Sequence, residues 1–178
     1  MSSLRRNIPL LYAFRFLRDF ILVMPAIVPL YRECGLGATE VLLIQTVFSA
    51  SQLAFEVPSG YLADVLGRRF ALVIGAAVIP VSYGVYAVSD SLWQFCVAEV
   101  GMALGYAMAS GTESAMIFDT LLATGRESEY RRQEGRAEAL TRLGAAVAAV
   151  AGGFLAGVFL RLPFYVNVLS GLANLAIV

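Results

Sequence analysis

The sequence contains no histidine and no lysine; all thirteen basic residues of its 178 are arginines. Without histidine there is no His-ligated metal site, no Ser-His triad and no histidine proton relay. An intramembrane serine protease, which needs a histidine base, is disfavoured on the same ground. Cys34 and Cys96 are too few for a disulfide framework. Both fall at the outer ends of predicted helices, where a bridge between them stays open. Charged residues make up 15% of the chain, against roughly a quarter in soluble domains. The net charge is zero and the pI near 6.3, which gives nucleic acid no electrostatic footing. No catalytic constellation is visible, so neither an enzyme nor a bound metal or cofactor is expected. A cleavable leader is not read either. The first apolar stretch is interrupted by Arg15, Arg18 and Asp19 and lacks a small-residue cleavage site.

What the chain does have is apolar length: 59% hydrophobic residues and a mean hydropathy of +0.75. A membrane-crossing helix takes about 20 apolar residues, so there is room for six and for no separate soluble domain. Hydrophobic runs predict spans over 8–30, 40–63, 70–89, 92–121, 137–159 and 162–178. The breaks are short except for TGRESEYRRQEGR at 124–136, so successive spans are expected to be antiparallel. Arg5 and Arg6, then Arg68 and Arg69, then Arg126, Arg131, Arg132 and Arg136 all fall on one side if the spans alternate; the other side holds Arg32 and Arg161. The positive-inside rule puts the arginine-rich side and the amino terminus in the cytoplasm of a multi-pass plasma-membrane protein. The fifth span reads GAAVAAVAGGFLAG from Gly144 to Gly157, a flat surface for close helix contact. The sixth stops at Val178 inside an apolar run with no arginine at its inner end, and the chain is expected to be part of a longer protein.

Between the second and third spans stands GYLADVLGRR, residues 60–69. Gly60 suits close helix approach, Asp64 sits at the membrane boundary, Gly67 suits a tight turn of positive φ, and Arg68 and Arg69 suit headgroups or acids. This stretch resembles the G-x-x-x-D-x-x-G-R-R loop signature of the major facilitator superfamily at Gly60, Asp64, Gly67, Arg68 and Arg69. FEVPSG (55–60) and SGTESAMIFDTL followed by GRESEYRRQEGR (110–121, 125–136) extend the likeness to a poorly characterised bacterial and archaeal branch. The resemblance implies an all-α membrane fold of six helices in two inverted three-helix repeats, half of a twelve-helix architecture. It also implies a gating lock in which Asp119, with Glu127 and Glu129 behind it, answers the loop arginines; a plain membrane anchor is the alternative. The chain departs from the drug–proton antiporters of the family. Glu99 stands where they carry an arginine six residues before a glycine, here Gly105. Ala148 and Ala149 replace a Gly-Pro pair between Gly144 and Gly152–Gly153.

Ionisable groups at membrane depth are costly and mark function. Asp19 lies roughly 15–17 Å into a helix starting near Ile8, close to the midplane. Arg15 and Asp19 are spaced to pair within the helix. Arg18 needs another partner, and Glu99, about 10 Å in from the outer surface, is the candidate. An Arg18–Glu99 pair would line a cavity, with Asp19 as the proton binder; alternatively Arg15 snorkels and pairs with Asp19 for stability alone. Glu56, two residues before the kink expected at Pro58, and Glu113, expected to pair with Arg142, complete the substrate or proton candidates.

The expected function is secondary active transport of a small solute by alternating access, coupled to protons. Residues 1–178 would form the amino-terminal membrane domain, its partner being the carboxy-terminal half or a second copy. A transporter-like sensor or scaffold, and a six-helix half-transporter acting as a homodimer, are the other readings.

Overall fold

The computed structural model describes the backbone of residues 2–178 and the side chains from Asn7 onward. Arg5 and Arg6, used above for orientation, lie outside the described side chains. Helices α1 (Ser2–Asp19), α2 (Met24–Glu33), α3 (Ala38–Leu66), α4 (Arg68–Val88), α5 (Leu92–Ala109), α6 (Thr112–Ala123), α7 (Tyr130–Val158) and α8 (Leu162–Ile177) follow one another, with one 3₁₀ turn at Glu127–Glu129. The described residues contain no strand.

Four stretches are long and apolar enough to cross a membrane: Ala38–Leu66, Arg68–Val88, Leu92–Ala123 and Glu127–Val158. The third joins α5 to α6, and α8 is apolar but shorter. Two expected spans are divided. Residues 8–30 break between Asp19 and Met24, where Pro25 opens α2 at a position that suits proline. Residues 92–121 break at Ser110–Gly111, where Gly111 adopts φ 72°, a conformation that costs a side-chain-bearing residue. Helix α7 starts at Tyr130, inside the stretch expected to be a loop. That segment is rich in helix-forming Arg, Glu and Gln, and Glu129 and Glu134 are held by partners described below. Pro58 sits inside α3 without interrupting it.

Helix α4 is central and packs on α5, α8 and α3. One apolar cluster gathers Tyr31, Ile44, Tyr86, Phe95 and Phe164. A second gathers Leu11, Phe14, Leu72, Ile117 and Leu121. Along the first two helices, the charged residues 15–19 fall between Phe14 of one cluster and Val23 of the other. By contrast, α3 buries only Ile44, Ser59 and Ala63, while Leu53, Val57 and Tyr61 are exposed. Such an apolar exterior suits a bilayer or another membrane domain as its surroundings.

Candidate functional site

The gap between α1 and α2 frees backbone groups that hydrocarbon cannot satisfy. Asn167 of α8 answers them with both ends of its amide: Leu22 N donates to Oδ1 at 2.8 Å, and Nδ2 donates to Phe20 O at 3.0 Å. Asn167 is 2% exposed. Helix α7 comes close on another side. A Cβ on Gly152 would stand 1.9 Å from Leu22 O, so only glycine permits that approach. The break is therefore enclosed by protein on two sides.

Directly before this break lies a cluster of charge, enclosed at Arg18 and Glu113 and open to the surface at Arg142. Arg18 Nη1 donates to Glu113 Oε1 at 2.5 Å, and its Nε and Nη2 donate to the two oxygens of Asp19 at 2.8 and 3.1 Å. Its guanidinium carbon lies 5.8 Å from the centroid of the Tyr106 ring, within cation–π range. Arg15 donates to Glu134 at 2.6 Å and to Glu138 at 2.9 Å, and its Nε is 3.9 Å from Glu113, beyond hydrogen-bond reach. Ser114 Oγ donates to Glu134, and Arg142 Nε donates to Glu138 at 2.7 Å. Four carboxylates (Asp19, Glu113, Glu134 and Glu138) thus face three guanidiniums. Glu113 is the most enclosed of them, its side chain 4% exposed, just after the break that Gly111 makes.

These contacts differ from the expected pairs. Arg18 reaches Glu113 and Asp19 instead of Glu99. Arg15 reaches across to α7 instead of back to Asp19. Arg142 takes Glu138 instead of Glu113. The reason is the position of α7: once the helix begins at Tyr130, Glu134 and Glu138 sit one turn apart beside α1, and Arg15 is drawn to them.

Glu99 belongs to a second, less charged place. Tyr86 Oη donates to Glu99 Oε1 at 2.5 Å, Tyr31 and Tyr86 share a hydroxyl hydrogen bond of 2.7 Å, and Gln45 Nε2 stands 3.5 Å from the same carboxyl oxygen. Glu99 and Gln45 line a cavity of about 290 Å³ whose walls include Phe48, Tyr83, Tyr106 and Phe164. Glu56 is exposed on α3 and makes no ion pair among the described residues; only its backbone carbonyl is used, by Ser59 Oγ.

In the loop signature, Gly67 turns the chain with φ 95°. Arg68 pairs with Asp119 of α6, and both line an open hollow with Asp64 and Gly67. Arg69 donates to the Val178 carbonyl at 3.0 Å. Gly60 does not serve close packing within this chain, since a Cβ there would meet nothing within 4 Å. Glu129 is taken by Arg126 at 2.7 Å, away from the Asp119 pair. Both cysteines are free thiols. No group of three or more Cys, Asp or Glu residues among the described residues is arranged to hold a metal.

Asn167, Glu134 and Glu138 were missed from sequence. An asparagine in the apolar run PFYVNVLSG was a usable signal, because a polar side chain at membrane depth needs a partner. Glu134 was passed over because its segment read as a loop, and Glu138, at the start of the fifth span, was not weighed.

The family model of the Major Facilitator Superfamily matches residues 10–178. The chain is 28% identical over 146 residues to the quinolone resistance protein NorA of Staphylococcus aureus (strain MRSA252), covering 81% of this chain and 36% of that protein. It is 29% identical over 136 residues to the inner membrane transport protein YajR of Escherichia coli (strain K12), covering 75% of this chain and 27% of that protein. The matched part thus spans about a third of the first relative and about a quarter of the second.

Proposed function

The chain belongs to the Major Facilitator Superfamily, and from that premise we propose that it is the amino-terminal six-helix half of a secondary transporter. It moves a small solute by alternating access, coupled to protons. In this reading α1 with α2 is one interrupted span, α5 with α6 is another, and α3, α4, α7 and α8 are the remaining four, arranged as two inverted repeats. The amino terminus faces the cytoplasm, and a second half completes the solute path. The greater length of the matched relatives supports that second half.

The observation that carries the reading is the cluster of four carboxylates against three guanidiniums, set between broken spans. Discontinuous membrane helices are where transporters bind solutes and coupling ions. One carboxylate in excess of the guanidiniums gives the cluster a place for a proton. Asp19 and Glu113 share Arg18, so protonating either one weakens its claim on that guanidinium and alters the tie between α1 and α6. A scaffold that moves nothing has no use for so costly an arrangement.

The Glu99 cavity is the solute candidate. Its aromatic walls and single carboxylate suit an aromatic solute, above all a cationic one. The likeness to a quinolone resistance protein adds quinolones to the solutes worth testing, although Glu99 stands where drug antiporters of the family carry arginine. The Arg68–Asp119 pair supports the gating role of the loop signature, since it ties the start of α4 to α6.

The test is uptake by proteoliposomes holding the full-length protein, with and without a pH gradient, against sugars, organic anions, amino acids, cationic drugs and quinolones. Faster uptake of one class under the gradient is expected, and Glu113→Gln should abolish that stimulation. Equal rates with and without the gradient overturn proton coupling.

A further inference from the structure

Helix α7 distributes its charge unevenly around its axis. At 3.6 residues per turn, Arg132, Arg136, Leu143, Val147, Val150 and Phe154 fall within an arc of about 60°. The four apolar members of this face are 54–77% exposed, as befits a surface turned to hydrocarbon. Arg132 and Arg136 are also exposed, and neither forms an ion pair among the described residues. Two acids of the same segment point elsewhere. Glu134 and Glu138 lie about 150–170° round the helix from this face and are held by Arg15 and Arg142. Glu129, one turn before Arg132 on the same side, is held by Arg126, and Glu127 is exposed in the 3₁₀ turn before the helix.

The spacing along the axis is informative too. From Arg136 to the exposed Val158 is roughly 33 Å at 1.5 Å per residue, close to the ~30 Å thickness of a bilayer's hydrocarbon core. With the apolar stripe across the hydrocarbon, Arg136 stands at the level of the phosphates and Arg132 one turn beyond it. Two guanidiniums at i and i+4, outside the ion pairs of the described residues and directly above a lipid-facing stripe, form a fork for a phosphate diester. We propose that Arg132 and Arg136 hold the headgroup of an anionic phospholipid whose acyl chains lie along Leu143, Val147 and Val150. The occupant is a lipid and not a free anion, because the apolar stripe continues the site below the arginines. This inference requires that this face of α7 meet lipid and not the second half, and it is independent of the solute or its coupling.

The test is native mass spectrometry of the full-length protein released from mixed phosphatidylcholine and phosphatidylglycerol micelles. The wild type is expected to retain phosphatidylglycerol preferentially. Arg132→Gln with Arg136→Gln should lower that preference by roughly 5-fold per arginine, the scale of one basic residue at an anionic surface. Arg132→Lys with Arg136→Lys should keep most of it, and Arg32→Gln, on an exposed arginine far along the chain, should keep all of it. Equal retention of the two lipids by the wild type, or undiminished preference in the double glutamine variant, overturns the proposal. Displacement of the lipid by equimolar inorganic phosphate overturns it as well, by showing a simple anion site. Unfolding midpoints measured alongside separate loss of the site from loss of the fold.

Discussion

Glu99 on α5 and Glu113 on α6 are buried in one divided span and are answered by different chemistry. Glu113 meets the Arg18 guanidinium, which it shares with Asp19, with Arg15 further off. Glu99 meets a tyrosine hydroxyl and an amide at the edge of an open cavity, with no cation near it among the described residues. A carboxylate tied to guanidiniums can hold helices together and respond to a proton. One left to neutral donors has no built-in counter-ion, which leaves a place for a visiting cation. In the proposed transporter the contrast gives a connecting task to one acid and a receiving task to the other.

Removing the partners should separate them most. Arg18→Met leaves the buried Glu113 and the half-buried Asp19 without their main cation, and breaking such a buried pair costs about 3–5 kcal/mol. Tyr86→Phe removes one hydrogen bond from Glu99 and should cost about 1–2 kcal/mol. Denaturant unfolding of the detergent-solubilised full-length protein measures both. Arg18→Met with Glu113→Met should recover much of the loss, because no stranded charge remains at that pair. Similar costs for the two single changes would erase the contrast.

The two helix breaks offer a second comparison with a smaller effect. The α1–α2 break is held by a side chain from α8, whereas the α5–α6 break is held by backbone conformation at Gly111. Asn167→Leu strands a donor and an acceptor and should cost about 2–3 kcal/mol. Gly111→Ala forces a Cβ into the left-handed region for about 1–2 kcal/mol. The same unfolding measurement ranks them; a harmless Asn167→Leu would mean that the break near Leu22 is satisfied by something other than that amide.

Much of this was legible in sequence, and the losses have physical causes. Apolar run lengths marked the membrane-crossing character, and GYLADVLGRR marked the family, because each is a local property. The acids and arginines of the cluster drew notice individually as Arg15, Arg18, Asp19 and Glu113. Their pairing was not legible, since it depends on the rotation and start of α7. Reading 124–136 as a loop took Glu134 out of consideration, left Glu138 without a partner, and offered Glu99 to Arg18 by default. The break after Asp19 was hidden because apolar residues continue through it, and hydropathy does not register backbone groups that have lost their partners.

The smallest effect on stability, and a sharp one for function, belongs to the Arg68–Asp119 pair. Its side chains are 35% and 55% exposed, so it is a surface contact of the kind that contributes about 0–1 kcal/mol. Asp119→Asn should therefore leave the unfolding midpoint nearly unchanged, unlike Arg18→Met. If the pair locks one side of the transporter during its cycle, the same change should slow uptake in proteoliposomes several-fold, and exchanging the charges through Arg68→Asp with Asp119→Arg should restore part of the rate. If the pair only anchors the loop at the membrane surface, uptake will follow the unchanged stability. The two ionic contacts of α6 would then differ in kind: Glu113 would act within the transport cycle, and Asp119 would only fasten α4 to α6 at the loop.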